Sequence, residues 1–92
     1  MTRHPDPQPG LGQAIRKLRT DRGWSQEELG HRSEIHPTWI SHLESGRVNP
    51  TWGNMRRVAA GLEVRLAVLA ALAEELEDQD GKAPRPPWGP GS

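Results

Sequence analysis

The chain has 92 residues, 33% of them hydrophobic, with proline concentrated at both ends, so it is one small domain, too short for a Rossmann fold, a TIM barrel or a two-domain enzyme. The absence of cysteine excludes disulfides, thiolate zinc sites and cysteine nucleophiles, and the longest apolar run, Leu66 to Ala73, falls far short of the ~20 residues that span a bilayer. A net charge of zero conceals an asymmetry: from Leu11 to Leu62 eight bases oppose five acids, whereas from Glu63 to Asp80 Arg65 alone faces six acids.

Residues 1–10 hold three prolines and a glycine, with Met1 the only apolar side chain, and are expected to be disordered. The first helix shows one apolar face in Leu11, Ile15 and Leu18, and Gly23 supplies the residue that a left-handed C-cap requires. The second, over 25–32, opens on a capping box, Ser25 with Glu28, flanked by Trp24 and Leu29 at the positions of a hydrophobic staple. The third, over 37–45, repeats the device with His36 as cap, Pro37 at the first helical position and Ile35 with Ile40 as the staple; Gly46 ends it. The fourth starts from Asn49-Pro50-Thr51 with Thr51 as cap and turns Trp52, Met55, Val58, Ala59 and Leu62 inward, so that Trp24 and Trp52 both count as core.

The fifth helix, Arg65 to Asp78, carries Leu66, Leu69, Leu72, Ala73 and Leu76 on one stripe. Its end holds Glu74, Glu75, Glu77 and Asp78, at the pole of the helix dipole that disfavours acids, so the final turn is expected to fray. Residues 79–92 are again rich in proline and glycine and are expected to be disordered. Their Ala-Pro-Arg-Pro-Pro stretch favours polyproline II beside Trp88. No segment of four or more residues alternates as a strand does. The fold class is all-α: a compact five-helix globule over 11–78 with disordered termini.

Chemistry has few places to reside. The histidines His4, His31, His36 and His42 lack the spacing that puts a metal-binding pair on one helical face. Glu27 and Glu28 begin a helix, where acids favour the dipole and the cap rather than acid–base work. There is no glycine-rich phosphate loop and no GxSxG. The sequence calls for no catalysis, no metal and no cofactor.

The most specific local feature is the helix pair 25–32 and 37–45, joined by a short turn at Ser33–His36. This spacing suits a helix-turn-helix, whose second helix enters a DNA major groove. Around it lie IRKLR, SQEEL, ISHLESG, NPT and RRVAAGLEV, in that order. Together these resemble the five-helix DNA-binding domain of the Cro/C1 (Xre) repressor type, over residues 11 to about 76, and the HPTWIS stretch is similar to the controller proteins of restriction–modification systems. The resemblance implies a cytoplasmic, nucleoid-associated bacterial protein, and ten arginines against two lysines, Lys17 and Lys82, fit a GC-rich bacterial source.

Residue by residue, the resemblance assigns base reading to Pro37, Thr38, Ser41 and His42 on the third helix. It assigns phosphate contacts to Gln26 at the start of the second helix, to Arg47 and Asn49 in the loop after the third, and to the amides near Thr51 and Trp52. Arg19 and Glu44 match a buried structural ion pair. Trp39 has two readings, a sugar-phosphate contact through its indole N–H or packing against the second helix or the turn.

Two positions depart from the family pattern. Gly30 stands where Ala is usual, at a helix-propensity cost of about 1 kcal/mol, and Glu34 stands where the turn usually has Gly, so Glu34 has to adopt a strained or altered turn. Pro37 brings no hydrogen-bonding side chain to a base-reading position and offers apolar contact only, as to a thymine methyl.

The expected partner is double-stranded operator DNA, bound by a homodimer formed through Leu66, Leu69, Leu72 and Leu76 of the fifth helix, whose stripe Val68 widens. The expected function is a sequence-specific transcriptional regulator, a repressor or autoregulator. The alternative is an antitoxin-like or adaptor module that binds a protein partner through the fifth helix and the C-terminal tail; neither reading involves a membrane.

Overall fold

The computed structural model describes residues 9–80, with side chains as far as 78. The expected disorder of 1–8 and 81–92, and Trp88 with it, lies outside the described residues. Five helices follow one another: α1 (Pro9–Asp21), α2 (Gln26–Ser33), α3 (Pro37–Glu44), α4 (Trp52–Leu62) and α5 (Leu66–Asp80). There is no strand among the described residues.

The starts of α2, α3 and α4 are each closed by the side chain that local chemistry selects. The Glu28 N–H donates to Ser25 Oγ at 3.0 Å, Thr38 N–H to His36 Nδ1 at 3.1 Å, and Asn54 N–H to Thr51 Oγ1 at 3.1 Å. The reciprocal half of the capping box is replaced: the Glu28 carboxylate accepts from Arg32 Nε at 2.7 Å instead.

The ends of α1 to α4 share one backbone pattern, in which two successive N–H groups turn back onto the last helical carbonyls. At the ends of α1 and α3 the left-handed residue is Gly23 (φ 73°) and Gly46 (φ 78°), as the sequence indicates. At the ends of α2 and α4 it is a glutamate, Glu34 (φ 59°) and Glu63 (φ 63°). Glu34 thus takes the strained member of its two expected conformations, while its N–H still reaches the His31 carbonyl at 3.3 Å.

The core is assembled from all five helices: Leu11, Ala14 and Ile15 of α1, Leu29 of α2, Ile40 and Leu43 of α3, Val58, Ala59 and Leu62 of α4, and Leu69 of α5. Burying each of the larger aliphatic side chains contributes about 1.5–3 kcal/mol. α5 lies along α1, while α2 packs against α3 and α4, so the α2–α3 pair is held from behind.

Three expectations need correction. Trp52 is not core: it is 70% exposed, because as the first helical residue of α4 it precedes the inward stripe that begins at Met55. Leu69 is fully buried within the single chain, among the α1 and α4 side chains, so it faces the core and has no surface to offer a second copy. The first helix takes in Pro9 and Gly10, the last two residues of the segment 1–10 expected to be disordered, with proline at its first position, where its missing N–H costs nothing.

Helix α5 also continues beyond the expected frayed turn, to Asp80. A side chain at Gly10 would collide with the Ala73 carbonyl and with Glu77 Cγ, so the acidic end of α5 lies directly against the N-terminal turn of α1. Acids that are unfavourable for their own helix dipole are favourable for the dipole they face.

Candidate nucleic-acid interface

The surface begins with α3. Its apolar residues Ile40 and Leu43 are buried, which turns Thr38 and Ser41 outward, both exposed, and leaves Pro37 and His42 half-buried at the margins. The first turn of α2 lies beside it, and an open groove between them is lined by Arg19, Ser25, Gln26, Glu27, Pro37, Thr38 and Ser41. Three of the four expected base-reading residues therefore share one groove with Gln26; His42, near the end of α3, is not among its lining residues.

Sequence reading missed Glu27, which brings an acid to the rim of this groove. Its signal was present in the helical register, one residue beyond Gln26, but its acidity was assigned wholly to the helix start. Gly30 is also explained. A Cβ there would lie 2.6 Å from the Ile35 carbonyl oxygen and 3.2 Å from Pro37 N, so glycine lets the chain that opens α3 approach α2 closely.

Behind the groove, Arg19 and Glu44 form the expected ion pair, with Nε 2.6 Å from Oε2 and Nη2 2.9 Å from Oε1. Arg19 Nη1 also donates to the Trp24 carbonyl at 2.7 Å. The hydrogen bond with Glu44 raises the guanidinium pKa above its ordinary range, against the smaller opposing effect of burial. Gln26 Nε2 joins the same carboxylate, donating to Glu44 Oε1 at 3.1 Å, a link that sequence alone did not indicate.

The remaining expected contacts lie outside the groove. Arg47, Asn49 and Thr51 are exposed in the loop between α3 and α4 and at its end, and Trp52 stands exposed next to them. Trp39 is half-buried and packs partly against the core. The charge asymmetry sharpens in three dimensions. Lys17 pairs with Asp21, Arg19 with Glu44 and Arg32 with Glu28, while Arg22 and Arg32 lie over the Trp24 ring, 5.8 and 3.9 Å from its centroid. Arg16, Arg47, Arg56, Arg57 and Arg65 are exposed without a side-chain ion pair or hydrogen bond among the described residues, so it is these cations that remain for an external anion.

A five-helix globule with an exposed second helix in an α2–turn–α3 pair is a helix-turn-helix domain of the Cro/C1 (Xre) type, the DNA-binding module of transcriptional regulators. The chain belongs to the helix-turn-helix domain family, whose model matches residues 11–72. It is 34% identical over 65 residues to the uncharacterized HTH-type transcriptional regulator y4dJ of Sinorhizobium fredii, covering 71% of this chain and 84% of that one. The crystal structure of the restriction–modification controller protein C.AhdI from Aeromonas hydrophila superposes with a TM-score of 0.65 at 31% identity, over 66% of this chain and 92% of that one. A hypothetical transcription factor of Neisseria meningitidis is 37% identical over 54 residues, 59% of this chain; the chain spans 51% of its length. No described helix is long and apolar enough to cross a membrane.

Proposed function

We propose that the protein regulates transcription as a repressor or autoregulator. It binds operator DNA as a homodimer, with α3 in the major groove and the α3–α4 loop on the backbone. The observation that carries this reading is the division of α3: Ile40 and Leu43 are locked in the core while Thr38 and Ser41 face outward into the groove they share with Gln26. Thr38 and Ser41 read base edges by hydrogen bonds, Pro37 makes apolar contact, and His42 reads the edge of the site. Gln26, Arg47, Asn49 and the amides near Thr51 and Trp52 hold phosphates, with the indole of Trp39 beside them.

A single module of this size covers roughly 600–1,000 Å² of DNA, so specificity requires two copies on half-sites about 34 Å apart. The similarity to controller proteins and to transcriptional regulators supports the same reading.

The test is fluorescence anisotropy with a pool of random duplexes at about 50 and about 200 mM salt, on wild type and Arg47→Ala. Binding that falls steeply with salt, with a slope shallower by about one in the variant, is the expected result. No binding even at the lower salt overturns the proposal and favours the protein-interaction alternative.

A further inference from the structure

Three donors converge on the two oxygens of Glu44. Arg19 Nε takes Oε2, and Arg19 Nη2 and Gln26 Nε2 share Oε1 at 2.9 and 3.1 Å. The Glu44 side chain is only 5% exposed, whereas Gln26 is half-buried and lines the groove beside Thr38 and Ser41. A carboxylate accepts and never donates, so it dictates which way the Gln26 amide is turned. The NH₂ group, not the carbonyl, has to face Glu44. An NH₂ group carries two hydrogens. One is committed to Glu44, and the geometry about a trigonal nitrogen directs the second away from it.

We propose that Glu44 is a positioning residue for DNA binding: by fixing the Gln26 amide, it presents the second Nε2 hydrogen to a phosphodiester oxygen in the groove. The inference rests on the reading that Gln26 meets a phosphate and adds how that contact is set. Unconstrained, an exposed glutamine amide has no fixed face, and in half of its orientations the carbonyl oxygen points at the phosphate and repels it. The Arg19–Glu44 pair therefore has a second role besides joining α1 to α3: it holds the carboxylate still while Gln26 is oriented on it.

The experiment is a double-mutant cycle on duplex affinity, using the full 92-residue chain as wild type, Gln26→Ala, Glu44→Gln and the double variant. Glutamine at 44 offers one oxygen to three donors and sets an amide N–H against one of them. It is expected to weaken binding about tenfold in the wild-type background and by about twofold or less once Gln26 is alanine. Equal losses in both backgrounds mean that Glu44 acts only through the fold, and overturn the inference.

Because Glu44→Gln also disturbs Arg19 and can unfold the chain, a second measurement uses the unaltered protein. In side-chain amide NMR, the two Gln26 Nε2 hydrogens are expected to behave differently: one protected and unmoved by duplex, the other exchanging freely and shifting on titration. Two hydrogens that exchange alike and shift together overturn the inference. Wild type that binds no duplex at all sinks the proposed function and this inference with it; wild type that binds without coupling sinks this inference alone.

Discussion

Arg19 and Glu44 stand twenty-five residues apart in the chain, yet two hydrogen bonds of 2.6 and 2.9 Å join them behind the recognition surface. Their side chains are 11% and 5% exposed, so removing one partner strands a buried charge and a set of unsatisfied hydrogen bonds. Arg19→Met is expected to destabilise the domain by about 3–5 kcal/mol, read from urea melts, and Arg19→Lys by most of that, because an ammonium cannot span both oxygens and the Trp24 carbonyl. The pH dependence follows from the direction of the Arg19 shift. A raised folded pKa gives stability that is complete below the ordinary guanidinium range and is lost only as pH rises through the raised value. The Arg19 contribution should therefore stay constant throughout the neutral range, and a stability change in wild type there that vanishes in Arg19→Met would contradict it.

The turn between α2 and α3 reverses two residue preferences. Gly30 is helical yet cannot be alanine without its Cβ meeting the Ile35 carbonyl oxygen at 2.6 Å, and Glu34 occupies left-handed backbone that glycine would hold without strain. Gly30→Ala should lower stability by about 1–3 kcal/mol despite alanine's better helix propensity. Glu34→Gly should raise it by about 0.5–1 kcal/mol, since the relief of strain exceeds the added chain entropy. Thermal melts of the two single variants decide; stabilisation by Gly30→Ala would show that the close approach is not maintained in solution.

These positions mark where sequence reading stopped. The helices, their caps at Ser25, His36 and Thr51, and the apolar stripes were legible because each is set by residues within one turn of one another. The Arg19–Glu44 pair and the outward face of α3 were legible through family resemblance rather than local chemistry. The rest depended on distant segments. Trp52 reads as inward by composition, but the start of its helix is not covered, leaving it 70% exposed. The left-handed Glu34 and Glu63 carry no glycine to announce them. The bond from Gln26 to Glu44 joins residues eighteen apart on helices whose crossing no local pattern specifies.

At the start of the recognition helix the cap is an imidazole. His36 Nδ1 accepts from the Thr38 N–H at 3.1 Å, which requires the neutral ring with its proton on Nε2. His36→Ala should cost about 1 kcal/mol in stability and His36→Asp should not, because a carboxylate accepts the same N–H and also favours the helix dipole. The two variants should part further in DNA affinity. His36→Asp keeps α3 intact but adds a negative charge beside Thr38, so weaker binding by a stable His36→Asp protein would place this cap close to the phosphates. Unchanged binding would place it away from them.

Helix α5 separates the demands of folding from those of dimerisation on two adjacent residues. Leu69 is fully buried against α1 and α4, whereas Val68 is 49% exposed, and Leu66, Leu72 and Leu76 are partly buried along the margin. If the homodimer forms through this helix, its contact is made by Val68 and the margins of those three leucines, not by Leu69. Leu69→Ala should therefore destabilise the single chain by about 2–5 kcal/mol. Val68→Glu should shift the monomer's own melting by less than about 0.5 kcal/mol while dissociating the dimer, since it places a charge at a surface that must become dry. Sedimentation at tens of micromolar protein, paired with melts of both variants, tests the division. A Val68→Glu protein that stays dimeric would move the interface off this face of α5, and wild type that sediments only as monomer would remove the homodimer from the proposed function.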